Sequence, residues 1–324
     1  MKRIRRLTAV WAALTLTACA ASLGPPQPYP LVTDGWTPAV VQLRSVGLGL
    51  PGGAVLAEGV AYAGGLAVIA DPTSPVHSLS DLKLTGDGKV VMVSDVGDLV
   101  IADLRLDGQG RLVGLDHLRT RRLTLQNGQP IADKRDGDAE GLALTPHGDL
   151  LVSFERNHRL WNYGPLSAIR PDPQALRIPD FDFAENDGME AVSITADGWR
   201  IAGEAGGLWD CTPARCVVVT PPPQTPVPLS GWRITGMDRD PSGDGWFVVE
   251  RRYRAPIDLR ARIRRLSLDG SLGPVLVELK LPGTTDNFEG VAAERRGDAT
   301  RLYILSDDNF NPMQRTLLLA FDLR

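Results

Sequence analysis

The chain has 324 residues, of which 43% are hydrophobic and 23% charged, and its formal net charge is −4. These values are typical of a soluble globular protein with one large or two average domains, and an acidic chain is a poor partner for nucleic acid. The 34 glycines and 25 prolines predict many turns and argue against long helices.

The first 18 residues predict a lipoprotein signal peptide. A basic stretch, 2–6, precedes an apolar stretch, 7–16, that is too short to span a bilayer. The tetrapeptide that ends at Cys19 resembles a bacterial lipobox, in which Cys19 becomes the lipidated first residue. The alternative is an ordinary signal peptide cleaved near Ala18 or Ala20. Removal of the signal peptide takes away four basic and no acidic residues, which changes the net charge from −4 to −8.

We therefore expect a protein on the periplasmic side of the bacterial cell envelope, held to the membrane by the lipid on Cys19. Residues 19–37 would form a flexible tether, and residues 38–324 would form a single domain. The two remaining cysteines, Cys211 and Cys216, are expected to form a disulfide in this oxidising compartment, with a metal site as the alternative.

A hairpin pattern is repeated along the rest of the chain. Each copy starts with a small or acidic residue, alternates between apolar and polar residues, turns on a glycine and ends in an acid. The copies are Ser80–Asp95, Glu140–Glu155, Glu190–Glu204, Thr235–Glu250 and Glu289–Asp308. Their starts are 45 to 60 residues apart, and further strand pairs follow several of them. Such a period, with four short strands per unit, is typical of β-propeller blades.

We predict an all-β fold, a β-propeller of six blades. Five blades come from the five hairpins. Strand-like segments within 40–70 are expected to pair with C-terminal strands such as Thr316–Leu323 and to close a sixth, composite blade, which removes free sheet edges. Five blades, or a two-domain β-sandwich, are the alternatives.

Acids occupy equivalent positions of the repeats. The hairpin starts place one set around the channel axis: Glu140, Glu190 and Glu289. The hairpin ends form a second set, one strand outward: Glu155, Glu204, Glu250 and Asp307. Like charges so close repel each other, so they require protons, bound cations or arginine partners.

Carboxylate and amide oxygens without clustered Cys or His favour a hard cation, so Ca²⁺ is expected rather than Zn²⁺. The candidate metal ligands are Glu140, Glu190, Glu289 and Asn287, with Asp138, Asp187 and Asp286 nearby in sequence. The alternative is that these acids are structural and accept hydrogen bonds from backbone N–H groups. The glycine after Glu140 and Glu289 suits a close backbone approach at a crowded channel.

Candidate catalytic residues lie at the hairpin ends. Glu155 or Asp307 would act as general base, and His158 is a reserve base. Arg156 and Arg251 would hold an anionic group or stabilise developing charge. The sequence contains no G-x-S-x-G, H-E-x-x-H or P-loop motif.

Several runs resemble a known family: DAEGLAL, LVSFERNHRLWNYG, NDGMEAVSI, DNFEGV and LSDDNFNPMQRTLL. They are similar to bacterial phytase-like proteins, to which esterase-like activity is ascribed, over roughly residues 64–324. The resemblance implies an exported β-propeller that hydrolyses phosphate or carboxylic esters. The Asp-rich calcium motif of propeller phytases is absent, which argues against phytate itself. The Glu-Gly strands are also similar to those of gluconolactonase and paraoxonase propellers, which implies Ca²⁺ held by Glu140, Glu190 and Glu289.

Two hypotheses for function follow. The first is a Ca²⁺-assisted hydrolase of a small-molecule ester or phosphoester, which acts as a monomer and binds the membrane through its lipid. The second is a non-catalytic lipoprotein that binds a ligand or a partner protein through its loops. Ester cleavage that is lost in EDTA and restored by Ca²⁺ would separate them.

Overall fold

The computed structural model describes residues 29–324, so the predicted signal peptide and Cys19 lie outside the described residues. In this part of the chain, helix is limited to α1 (Lys134–Gly137) and a 3-10 turn at Leu166–Ala168. Neither has the length or the apolar character of a membrane-crossing helix, and the described residues hold no other candidate.

The N-terminal strands join sheets formed by later parts of the chain. They are β1 (Thr37–Pro38), β2 (Val41–Ser45), β3 (Ala54–Leu56) and β4 (Val60–Ala70). The first two blades are antiparallel sheets of four consecutive strands. The first blade contains β5 (Leu79–Leu84), β6 (Lys89–Ser94), β7 (Asp98–Leu106) and β8 (Leu112–Arg122). The second contains β9 (Ala139–Leu144), β10 (Asp149–Phe154), β11 (Arg159–Pro165) and β12 (Gln174–Leu176).

The remaining three blades follow the same plan. The third contains β13 (Met189–Ile194), β14 (Trp199–Gly203), β15 (Leu208–Cys211) and β16 (Cys216–Thr220). The fourth contains β17 (Arg233–Arg239), β18 (Trp246–Arg254), β19 (Asp258–Leu266) and β20 (Leu272–Lys280), with β3 at its edge. The fifth contains β21 (Asn287–Arg296), β22 (Ala299–Asp307) and β23 (Thr316–Leu323), and β4 is its fourth strand.

The first strands of the five sheets form a closed ring, in which β5, β9, β13, β17 and β21 each contact the next and β21 returns to β5. Sheets arranged around an axis in this way form a β-propeller. Its core is divided among the spaces between neighbouring blades. Val91 and Val93 of the first blade pack with Leu142 and Val152 of the second, for example. Strands covered on both faces are continuous apolar runs, as in Lys89–Ser94.

The described residues contain five such blades, and the predicted sixth is not confirmed. As predicted, β4 pairs antiparallel with β23. However, β23 already belongs to the blade that starts at β21, so the N-terminal strand completes this fifth blade. In the described residues, the segment 40–70 supplies only outer strands. Its strand β2 pairs with β4, and the closed ring of first strands begins with β5.

The described part of the predicted tether, 29–37, packs against the first blade. The Tyr29 hydroxyl donates to Asp98 Oδ2 at 2.6 Å, and Arg122 pairs with the same carboxylate at 2.8 Å. Both Asp98 and Arg122 are buried. These contacts hold Tyr29 on the rim of the propeller.

The predicted disulfide between Cys211 and Cys216 is present. It joins the end of β15 to the start of β16, where the two residues are cross-strand neighbours with Cα atoms 3.9 Å apart. The pair therefore links the two outer strands of the third blade and is not a metal site.

Candidate metal and catalytic site at the channel mouth

A one-residue bulge occurs at the same place in every inner strand. The pairing with the second strand skips one residue in each blade: Ser80, Glu140, Glu190, Thr235 and Glu289. A bulge re-aims the side chain of the extra residue. The positions match the predicted hairpin starts, and we call these five residues the inner ring.

Glycines after the inner-ring residues allow neighbouring blades to approach. A Cβ on Gly141 would lie 2.8 Å from the carbonyl oxygen of Glu190 in the next blade. A Cβ on Gly290 would lie 2.9 Å from Cα of Asp81, and one on Gly236 would overlap the carbonyl oxygen of Glu289. The close backbone approach expected for the Glu-Gly pairs is confirmed.

A second set of charged residues lies one strand outward. In each second strand, one residue pairs with the inner-strand residue that comes just before the bulge. The next residue of the second strand is charged in every blade: Asp95, Glu155, Glu204, Arg251 and Asp307. We call these residues the outer ring. Acids therefore occupy four of the five positions, and Arg251 occupies the fifth.

Glu250 does not belong to the outer ring, and its predicted place there is wrong. It is the strand partner of Ile234, and its carboxylate accepts hydrogen bonds from Arg262 Nε and Nη2 at 2.7 and 2.9 Å. Successive side chains of a strand point to opposite faces. The one-residue step from Glu250 to Arg251 therefore places the arginine, and not the acid, at the channel.

Arginines pair with two acids on the side of blades three to five, Glu204 and Glu289. Arg251 Nη1 donates to Glu289 Oε1 at 2.8 Å and also to Asn287 Oδ1, and its Nη2 donates to Glu204 Oε1 at 3.1 Å. Arg233 binds the second oxygen of Glu204 at 2.7 Å. Asn287 Nδ2 donates to Glu289 Oε1 at 2.7 Å. Glu289 and Asn287, two of the predicted metal ligands, are thus both bound to Arg251.

On the side of blades one and two, carboxylates converge. One oxygen each of Asp138, Glu140 and Glu155 lies within 4.8 Å of the others. Lys134 and Arg156 both pair with Asp138, and Lys134 also pairs with Asp95. Glu155 Oε1 accepts a hydrogen bond from the backbone N–H of Gly188 at 3.0 Å. The hydrogen bonds and ion pairs of the described residues include none to the Glu140 carboxylate.

Burial and mutual repulsion raise the pKa values of these acids. Burial raises the pKa of Glu140 and of Glu190 well above the usual range, and each is raised further by carboxylates that include Glu155 and Glu289. Burial, followed by the charge of Asp138, raises the pKa of Glu155 to about 8. The pKa of Asp307 is raised by burial and then by Glu289. Glu140, Glu190 and Glu289 therefore interact around one axis, as predicted.

The charges at the mouth do not balance within the described residues. The acids of the two rings, together with Asp138, number eight: Asp95, Asp138, Glu140, Glu155, Glu190, Glu204, Glu289 and Asp307. The cations that contact them number four: Lys134, Arg156, Arg233 and Arg251. The surplus must be met by protons or by a bound cation.

The three converging carboxylates fit a hard cation. Ca²⁺ takes oxygen ligands at about 2.3 to 2.6 Å, so ligand atoms on opposite sides of the ion are about 5 Å apart. The 4.8 Å span of Asp138, Glu140 and Glu155 lies within that limit. The all-oxygen donor set has no soft ligand, which suits Ca²⁺ or Mg²⁺ better than Zn²⁺.

Two further residues predicted to be catalytic, Asp307 and His158, lie in different surroundings from each other. Asp307 Oδ1 accepts a hydrogen bond from the N–H of Asn309 at 2.7 Å, and no ion pair of the described residues involves Asp307. His158 Nε2 lies 3.0 Å from the carbonyl oxygen of Ala184, and its ring packs on Phe183 with centroids 5.4 Å apart. His158 thus packs on the loop before β13, and a Cβ on Gly188 would contact both His158 and Glu155.

Sequence reasoning missed Asp95, Lys134 and Arg233. Asp95 ends the first aligned hairpin, so the repeat itself could have assigned it to the outer set. Arg233 lies two residues before its inner-ring residue, as do Asp138 and Asn287. Lys134 lies on α1, outside every repeat, and nothing in the sequence pattern indicates its contact with Asp95.

The fold and site define a propeller with an acidic channel mouth, and comparison with known proteins assigns its family. The family model described as "Phytase-like: Esterase-like activity of phytase" matches residues 74–310. Because the match spans most of the chain, the protein belongs to this family, as the resemblance predicted. A comparison with curated proteins finds no match.

Solved structures show distant likenesses. A structure provisionally assigned as a gluconolactonase is 14% identical, with a TM-score of 0.44 and coverage of 89% of this chain and 95% of that chain. The PQQ-bound aldose sugar dehydrogenase of Streptomyces coelicolor is 13% identical, with a TM-score of 0.41 and coverage of 88% and 99%. The WD40 β-propeller domain of Doa1 is 11% identical, with a TM-score of 0.41 and coverage of 89% and 96%. Likenesses at this level assign neither ligand nor activity.

Proposed function

We propose that this protein is an ester hydrolase that binds Ca²⁺ at the channel mouth and cleaves phosphate or carboxylic esters of small molecules. The observation that carries the proposal is the surplus of buried carboxylates, three of which converge within 4.8 Å. Membership of a family described by esterase-like activity supports the choice of reaction.

Asp138, Glu140 and Glu155 would hold the cation, with Glu190 next to them. A bound Ca²⁺ would polarise the ester oxygen and lower the pKa of a bound water. Glu289 and Asn287 were predicted as further ligands, but both bind Arg251. We assign them instead to orienting the Arg251 guanidinium at the outer ring.

The other roles fall to further charged residues of the channel mouth. Asp307 is the general base, because no ion pair of the described residues involves it and no cation therefore holds its carboxylate. Arg156 and Arg251 hold the anionic group of the substrate and stabilise charge that develops on it. His158 packs beside Glu155 and keeps a reserve role.

Hydrolysis of p-nitrophenyl phosphate and p-nitrophenyl acetate tests this function. We expect turnover that is lost in EDTA and restored by Ca²⁺, and about one Ca²⁺ per chain by elemental analysis. Glu140→Gln should abolish both the bound Ca²⁺ and the turnover, whereas Asp298→Asn, which changes an exposed acid in the turn between β21 and β22, should change neither. Absence of turnover on both esters with Ca²⁺ present would overturn the proposal.

One observation favours a second candidate, a non-catalytic propeller that binds a ligand or a partner protein. Arg233, Glu204, Arg251 and Glu289 form a continuous ion-pair network within the chain, as purely structural charges would. A protein that contains no stoichiometric metal and keeps its unfolding midpoint in EDTA would support this candidate. Capture of an envelope component by the wild type but not by a loop variant would also support it.

We also propose that the protein is exported, lipid-anchored at Cys19 on the periplasmic side of the envelope, and monomeric. The lipobox-like sequence and the Cys211–Cys216 disulfide support export to an oxidising compartment. Cys19→Ser, expressed in a bacterial host, should move the protein from the membrane fraction to the soluble periplasmic fraction. An unchanged distribution would contradict lipid anchoring.

A further inference from the structure

A cavity lies at the opposite end of the propeller from the acids. Its volume is about 840 Å³, within the range of small-molecule sites. It is lined by the turns that join first and second strands at 84–89, 144–148 and 194–196. Each first strand begins at the acidic mouth and ends at such a turn, so about four residues, or roughly 13 Å, separate the inner ring from this cavity.

The charged lining of this cavity is mainly cationic. The lining contains three basic residues, Lys89, Arg119 and Arg239, and one acid, Asp87. Asp87 is already bound, because it pairs with Lys89 and accepts a hydrogen bond from Thr85. The two arginines therefore provide a positive field at one end of a chain whose net charge is −4.

The two arginines differ in how the protein satisfies them. Arg119 Nε is buried and lacks a hydrogen-bond partner among residues 29–324, and the guanidinium lies 5.9 Å from the ring of Trp36. A buried guanidinium donor without a partner is unfavourable, so Arg119 favours an anion in the cavity. The side chain of Arg239 is 39% exposed, pairs with the exposed Asp244 at 4.0 Å and adds positive charge to the cavity.

The remaining lining is largely apolar. It includes side chains from the first three blades and the segment before them: Trp36, Leu84, Ile101, Leu144, Leu166 and Ile194. A ligand that satisfies both parts of the lining has an apolar body and one anionic group. A nucleotide or sugar phosphate would leave the apolar part of the wall uncovered.

We infer that this cavity binds a small amphipathic anion, a carboxylate or sulfonate on an apolar body. Arg119 is the main anion partner and Arg239 adds to the positive field. The site is independent of the proposed hydrolytic site, which lies at the other end of the channel and has the opposite charge. A ligand could therefore occupy it without competing for the cation at Asp138, Glu140 and Glu155.

Fluorescence titration with 8-anilinonaphthalene-1-sulfonate tests the inference. The probe should bind the wild type and be displaced by decanoate below its micelle concentration, but not by decyltrimethylammonium, which has the opposite charge. Arg119→Gln should weaken binding of the probe at least fivefold, and Arg239→Gln should weaken it twofold or more. Arg295→Gln is the matched control, because Arg295 is an exposed arginine at the same end of the propeller and outside the cavity.

Two results would overturn the inference: equal affinity in the wild type and both cavity variants, or equal displacement by the two detergents. The titration is repeated with Glu140→Gln and with EDTA, and the affinity should stay the same. A fivefold change there would place the probe at the acidic mouth instead. Circular dichroism establishes that each variant is folded, and Arg239→Gln decides the question if Arg119→Gln does not fold.

Discussion

At the scale of single residues, Arg251 gives the channel mouth its asymmetry. It occupies the one outer-ring position that is not acidic, and it binds Glu204, Glu289 and Asn287. Two acids on the side of blades three to five, Glu204 and Glu289, are therefore held in ion pairs. The three carboxylates that converge within 4.8 Å lie instead in blade two and the segment just before it, around Glu140. One basic residue in a repeat of acids thus removes Glu289 and Asn287 from the candidate cation ligands.

Replacement of Arg251 by Gln should destabilise the protein by about 2 to 4 kcal/mol, because Glu289 and one oxygen of Glu204 lose a cationic partner while they remain buried. Urea unfolding of the metal-free protein measures the change. Arg254→Gln is the control, since this exposed arginine of the same strand donates to the carbonyl oxygen of Ser230 and should cost less than about 1 kcal/mol. Equal stability of the two variants would contradict the role of Arg251.

Asp81 should make stability depend on pH. Its buried carboxylate binds Lys83 Nζ at 2.7 Å and the N–H of Leu142 in the next blade at 2.9 Å. Burial nevertheless raises its pKa to about 7. The Asp carboxyl of an unfolded chain has a pKa of about 4. Between about pH 4 and pH 7 the folded protein therefore keeps a proton on Asp81 that the unfolded chain loses. Stability should fall as pH rises through this window, by about 1.4 kcal/mol per pKa unit.

Asp81→Asn removes this titration, and Lys83 Nζ keeps its hydrogen bonds to the carbonyl oxygens of Leu82 and Val291. The unfolding free energy of the variant, compared with that of the wild type at pH 4.5 and pH 7.5, should fall less over this interval. The control is Asp87→Asn, an exposed acid whose loss should leave the slope of the wild type unchanged. An Asp81→Asn variant with the same slope as the wild type would show that Asp81 does not titrate in this window.

At the scale of secondary-structure elements, the inner strands depend on backbone contact between blades. Gly236→Ala should destabilise the protein by roughly 2 to 4 kcal/mol, because its Cβ would overlap the carbonyl oxygen of Glu289 and force blades four and five apart. Gly108→Ala is the control, because no atom lies within 4 Å of its Cβ position and its φ is not positive. Thermal unfolding of both variants measures the difference, and similar midpoints would contradict tight packing at the bulges.

The repeat explains why much of the fold and of the inner ring could be predicted. Each hairpin start coincides with a bulge, so an alignment of repeats also aligns the residues that surround the axis. The number of blades could not be predicted from the repeat in the same way. The segment 40–70 has strand character in the sequence, but whether it starts a blade or completes one depends on pairing with β23, more than 240 residues away.

The finer parts of the site depend on differences of one residue and on contacts distant in sequence. Glu250 and Arg251 are adjacent, and only the register with β17 shows which of them faces the channel. Lys134 reaches Asp95 from a helix that belongs to no repeat. A sequence pattern aligns equivalent positions, but it does not show which cation neutralises which acid.

At the scale of the whole molecule, the ring is closed by the two ends of the chain. The fifth blade combines β21, β22 and β23 with β4, and a single parallel bridge between Gly64 and Leu112 links it to the first blade. Closure leaves no gap between first and last blades, so every blade packs against two neighbours. The stability of the ring should therefore depend on each blade in turn.

Leu319→Ala tests this coupling. Leu319 lies on β23 and is fully buried between neighbouring strands, so its truncation should cost about 2 to 5 kcal/mol. None of the tryptophans lies in the fifth blade, and those of blades two to four include Trp161, Trp209 and Trp246. If the ring unfolds as one unit, tryptophan fluorescence and far-UV circular dichroism should shift together to lower urea in this variant.

The control for Leu319→Ala is Val217→Ala on the outer strand β16, where the side chain is 48% exposed and should contribute less than about 1 kcal/mol. A biphasic transition, in which the circular dichroism signal moves but tryptophan fluorescence keeps its wild-type midpoint, would show that the blades unfold independently. The fifth blade alone combines N-terminal and C-terminal strands, β4 and β23. A single transition shared by both signals would mean that the pairing of these strands also stabilises the other blades.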